Sequence, residues 1–115
     1  MFESSRTFQL WKYLVGHRQL LLRSNRSEAV STRLDVLFKN VTVINLPTHL
    51  DGLSVALAPE HEAESVRGER GVEARDGQQV YSVRGQNYRG YVIAGSIFTH
   101  EDDGDYAAPS ALLVE

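Results

Sequence analysis

The stretch Leu34 to Leu46, LDVLFKNVTVINL, decides the fold. In an extended chain Leu34, Val36 and Phe38 point one way and Asp35, Leu37 and Lys39 the other. That is the period-two pattern of a strand with one drier face. Beyond Lys39-Asn40 the phase changes, and Val41 and Val43 alternate with Thr42 and Ile44. A turn or bulge at Lys39-Asn40 resets the faces. The β-branched Val36, Val41, Thr42, Val43 and Ile44 are stiff at χ1 and suit a pleated surface. Pro47 closes the run, because it lacks the N–H a ladder needs and restricts Leu46 before it.

Working outward, Thr7 to Ser24 admits two readings. As strands it splits at Gly16-His17, with Phe8, Leu10 and Leu14 on one face and Gln9, Trp11, Tyr13 and Val15 on the other. Gln19 to Arg23 is then the return strand. As a helix, Phe8, Trp11, Leu14, Val15, Arg18 and Leu22 follow a 3.6 period, flawed by Arg18. Gly16 would cost that helix ~1 kcal/mol relative to Ala. The hairpin is preferred, because turn-like Ser24-Asn25 and a clear strand follow. Met1 to Ser5 reads as a frayed end and Ser24 to Thr32 as a polar connector.

After Pro47-Thr48-His49 and the turn signal Asp51-Gly52, Leu53, Val55 and Leu57 alternate with Ser54, Ala56 and Ala58 in a short strand that Pro59 ends. Residues 60–79 hold six acidic residues, three arginines and glycines at 68, 71 and 77. They read as a polar flexible loop, with room for a ragged hairpin around Val66 and Val72. Val80 to Arg84 is a strand and Gly85-Gln86-Asn87 a hairpin loop. Tyr88 to Thr99 is a strand in which Gly90 and Gly95 signal a bulge, a corner or close approach of another backbone. HEDDGD is an acidic turn, and Tyr106 to Glu115 an apolar tail that suits an edge strand. The sum is mainly β: a single-domain antiparallel β-sandwich or small β-barrel of six to eight short strands, with little helix.

Composition sets the outer limits. A chain of 115 residues is one domain, and it buries roughly two thirds of its unfolded surface. There is no cysteine, which removes disulfides, thiol catalysis and thiolate metal sites together. No apolar run approaches the ~20 residues that span a bilayer. The N-terminus, with Glu3 early and Lys12 inside its apolar part, is a poor signal peptide. The expectation is a soluble cytoplasmic protein, with no membrane partner. Residues 1–50 carry seven Lys/Arg and three Asp/Glu; residues 51–115 carry five and twelve. That split steers partners if it survives folding, and vanishes if the halves interleave.

The chemical motifs are few. His100, Asp102, Asp103 and Asp105, in HEDDGD, are the densest set of hard-cation ligands, though their spacing is not that of an EF-hand loop. The plainer reading is a solvated hairpin tip. His17, His49, His61 and His100 form no HxH, HxxxH or HExxH. No GxSxG, GxxxxGK[ST] or GxGxxG is present, so no catalytic residue and no cofactor is assigned. Arg6, Lys12, Arg18, Arg23, Arg26 and Arg33 surround Trp11 and Tyr13. That would suit single-stranded nucleic acid, but the overall acidity speaks against it. Trp11, Tyr13, Tyr88 and Tyr91 are instead candidates for a protein interface, on strands with apolar residues on both faces. The expected function is a non-enzymatic interaction or self-assembling β domain, a dimer first. The alternative is a small-ligand-binding barrel or unsignposted enzyme, its pocket holding an arginine such as Arg33 or Arg89.

Overall fold

The computed structural model describes residues 1–73 and 75–113. Its elements are β1 (Phe2–Leu14), β2 (Gln19–Ser24), β3 (Arg33–Lys39), β4 (Val43–Asn45), β5 (His49–Leu57), α1 (Glu60–Arg70), β6 (Gln79–Arg84), β7 (Arg89–Ala94) and β8 (Ser96–Asp102). The eight strands form one antiparallel sheet in the order β4-β7-β6-β5-β1-β2-β3-β8. The two ends of that order are made by the same two stretches of chain. β3 runs through residues 40–42 into β4, and β7 runs through Gly95 into β8. The Gly95 N–H donates to the Lys39 carbonyl and the Thr42 N–H to that of Ile93, which stitches the two corners together. The sheet therefore rolls up and closes as a small barrel.

The opening stretch behaves as its pattern requires. Leu34, Val36 and Phe38 face the barrel interior, and the reset falls on Asn40, whose φ of 55° is left-handed. The interior is filled by Phe8, Leu20, Leu22, Val36, Phe38, Leu50, Val55, Tyr81, Val83 and Val92, with Phe38 and Tyr81 meeting edge to face. Gly90 is needed for close approach: a Cβ there would lie 2.1 Å from the Asn45 carbonyl oxygen of β4.

Residues 7–24 are the hairpin β1–β2, whose register shifts between Leu10 and Lys12. Four expectations are corrected. Met1 to Ser5 is not frayed, since Phe2, Glu3 and Ser4 pair with Val55, Ser54 and Leu53 of β5. Asp51-Gly52 is not a turn but part of β5, with Gly52 at φ 79°. Residues 60–70 are not loop but helix α1. Acidic Glu60 and Glu62 in its first turn and basic Arg67 and Arg70 in its last suit the helix dipole. Gly71, at φ 65°, ends it by donating to the Gly68 carbonyl. Lastly, Tyr106 to Leu113 forms no strand, and Val114 and Glu115 lie outside the described residues.

Two covers shield the outside of the barrel. Helix α1 lays Ala63 and Val66 against Val80, Tyr91 and Ile93. On the opposite flank, residues 103–113 cross β2 and β3, whose outward Arg23, Arg33, Asp35, Leu21 and Leu37 are all buried. Arg23 holds Asp35 through Nε–Oδ1 at 2.8 Å and Nη2–Oδ2 at 3.1 Å, and both side chains are only 1% exposed. Arg33 holds Asp102 in the same forked way, at 3.0 and 3.1 Å. The Ala108 carbonyl then accepts from Arg23 at 3.0 Å and from Arg33 at 2.7 Å. A Cβ at Gly104 would stand 2.6 Å from Arg33 Nη2, so a larger residue there would push the Arg33 guanidinium out of its clamp. Part of the charge asymmetry is taken up here: Arg26 and Arg33, from residues 1–50, bind Asp105 and Asp102, from residues 51–115.

Candidate functional site

The residues singled out in the sequence do not form one surface. Trp11 packs edge-on to Tyr106, ring centroids 4.9 Å apart, with the Arg23 guanidinium 5.2 Å from its ring. Tyr13 lies beside the turn that closes the β1–β2 hairpin and is exposed. Tyr88 donates from its hydroxyl to the Gly52 carbonyl at 2.8 Å. Burial, aided by the charge of Asp51, pushes its phenol up to about 12. Tyr91 is buried beneath α1, where Arg70 donates to its hydroxyl.

The acidic set is divided in the same way. His100 Nε2 lies 3.5 Å from Asp102 Oδ2, but both Asp102 oxygens already receive Arg33. Hydrogen bonding from Arg33, with a further bond from the Gly104 N–H, holds the Asp102 carboxyl below the usual carboxylate range against the opposing effect of burial. Asp105 takes Arg26, and Asp103 is exposed. Among the described residues no group of three or more His, Asp or Glu is placed to hold a metal ion. Of the basic third, Arg6 donates to Ser24 and Thr32, so with Arg23, Arg26 and Arg33 its guanidinium is engaged within the chain. Of the two arginines expected in a pocket, Arg33 is in the clamp and Arg89 is exposed beside α1.

The feature left open is the edge of β8. This strand pairs with β3 over seven positions, from Arg33–Asp102 to Lys39–Ser96. Among the described residues its other side has no strand beside it, because β6 begins at Gln79, opposite Ala94, just before the Gly95 corner. Among the described residues no other backbone hydrogen bond involves Ser96–Asp102. None of the seven residues is buried, whereas five of the seven in β3 are. An edge strand keeps half its N–H and C=O groups pointing away from its one neighbour. Ile97-Phe98-Thr99 is β-prone, carries no Pro or Lys to blunt it, and leaves Phe98 45% exposed. The other end of the sheet, β4, is only three residues long and followed by Pro47. Sequence could suggest β8 as a strand, but not that its second neighbour would be missing.

Charge is laid along this edge with a direction. The Lys39 ammonium sits 5.1 Å from the Phe98 ring centroid near one end, and Glu101, Asp102 and Asp103 occupy the other. Among the described residues no helix is long and apolar enough to cross a membrane. Comparison of the chain with protein-family models, curated proteins and solved structures finds no match in any of the three.

Proposed function

We propose that this chain is a non-enzymatic, self-associating β-barrel whose β8 edge pairs antiparallel with β8 of a second copy. The observation that carries this reading is the unpaired seven-residue edge Ser96–Asp102. Strand addition at such an edge draws affinity from main-chain hydrogen bonds and specificity from alternate side chains. Antiparallel pairing about Thr99 sets Phe98 of each copy opposite His100 of the other. It also brings the Lys39 end of one edge to the acidic end of its mate, which a parallel arrangement would not do. The filled barrel interior supports an interaction role over a ligand held in the lumen.

Sedimentation equilibrium tests the proposal. The wild-type chain is expected to be dimeric. The double variant Phe98→Lys/Thr99→Lys, changed only at exposed positions, is expected to be monomeric with an unchanged far-UV spectrum. A wild-type chain that stays monomeric as concentration is raised, or a dimer that the two lysines leave intact, sinks the proposal.

A further inference from the structure

On the outer face of β6, Tyr81 and Val83 turn inward while Val80, Ser82 and Arg84 turn outward. Val80 lies under α1. The register sets Ala56 opposite Ser82 and Ser54 opposite Arg84 on β5, and Arg89 opposite Arg84 on β7. Because Ser54 and Ala56 are small, the surface sinks there into a hollow of about 260 Å³ lined by Ser54, Ala56, Leu57, Pro59, Ser82 and Arg84.

Two costs meet at this hollow. Ser82 is 6% exposed, and its Oγ makes no hydrogen bond among the described residues. A buried hydroxyl in that state destabilises the fold. Arg84 and Arg89 are like charges directly opposite on neighbouring strands, an arrangement that is also unfavourable. Neither makes a hydrogen bond or ion pair among the described residues. No carboxylate lines the hollow. Two hollows adjoin it, one where Arg84 and Arg89 meet His61, Glu62 and Ser65 and one where Ser54 and Arg84 meet Glu3; each already contains a carboxylate and is not the seat.

One kind of group offsets both costs, and we propose that the Ser54–Ser82–Arg84 hollow binds a phosphate group. Arg84 offers a planar fork to two oxygens, Ser82 and Ser54 offer hydroxyl donors to the others, and Arg89 adds a second positive charge beside it. A carboxylate is planar and singly charged, so beside the Arg84 fork it can take a further donor only near that plane, whereas a tetrahedral phosphate sends a third oxygen out of it toward the hydroxyls and brings more charge for Arg89 to meet. The hollow contains no residue of β8 and lies toward the Arg84 end of β6, away from the Gln79 end beside the β8 corner, so the site stands independently of self-association.

Calorimetric titration with inorganic phosphate tests this on the intact chain, with acetate as the comparison anion. Saturable phosphate binding is expected. Arg84→Gln, at an exposed position, should weaken it by about tenfold or more, the loss of one charge-assisted fork. Ser82→Ala should weaken it too, while the phosphate-free variant melts no lower than wild type. Arg75→Gln, outside the hollow, should bind as wild type does. The assignment is overturned if no saturable binding occurs, if acetate binds as tightly as phosphate, or if Arg84→Gln binds unchanged. Phosphoserine and a nucleoside monophosphate, titrated the same way, separate a protein-borne from a small-molecule source by which binds more tightly.

Discussion

The barrel is covered on two sides by unlike means. Helix α1 covers β6 and β7 with small apolar contacts, Ala63 and Val66 on Val80 and Ile93. Residues 103–113 cover β2 and β3 through guanidinium groups, with Arg23 and Arg33 sharing the Ala108 carbonyl. The apolar cover is non-directional and its strength follows area. The polar cover is directional: each buried charge must keep its partner, or it becomes a liability. The helix has one directional tie, from Arg70 to the Tyr91 hydroxyl, whereas the clamp is directional throughout.

Breaking one charge of the clamp is the severest test of that difference. Asp35→Ala leaves Arg23 buried without its carboxylate and should cost about 3–5 kcal/mol in urea unfolding. Arg23→Met/Asp35→Leu, which removes both charges and keeps the volume, should recover part of that loss, less what Arg23 contributes by donating to the Tyr106 and Ala108 carbonyls. If the double variant is as unstable as the single one, the pair holds something beyond its own charge balance.

The apolar cover should respond more mildly. Val66→Ala on α1 removes buried methyl groups and should cost ~1–2 kcal/mol, independent of salt. A larger loss would mean that the helix also braces the barrel wall beneath it.

Acid should separate the two covers with the smallest perturbation. The folded Asp102 carboxyl is held below its unfolded value of 3.8. Its contribution is therefore fully present above that value and lost as pH falls through the lower folded one. Trp11 packs on Tyr106 within the polar cover, so its fluorescence should change in that acid window before the far-UV signal does. Asp102→Asn should remove the early change. A variant that keeps it would show that another group reports there.

What the sequence disclosed follows the same division. Leu34 to Leu46 was readable because alternation and β-branching act locally, and the phase reset at Asn40 is visible as a slip in that alternation. Helix α1 was not, since only Ala63 and Val66 are buried in it, Pro59 supplies no capping side chain and Gly68, a poor helix former, lies inside it. The burial of Arg23 could not be read at all. Its covering carbonyl belongs to Ala108, 85 positions away, and nothing around Arg23 in the sequence anticipates it. The candidate β8 edge was hidden for a related reason. Its residues announce a strand, but its open side depends on where β6 begins.

The Ala108 carbonyl also has a kinetic meaning. It closes its loops onto Arg23 and Arg33 across 85 and 75 positions, and it brings no ladder of its own to reward that closure. Such a contact is expected to form after the folding barrier is passed, which predicts that Gly104→Val speeds unfolding in stopped-flow measurements and leaves the refolding rate nearly unchanged. Residues 103–113 thus work as a latch on unfolding: weakening them shortens the lifetime of the closed barrel and leaves the pace of its assembly nearly unchanged.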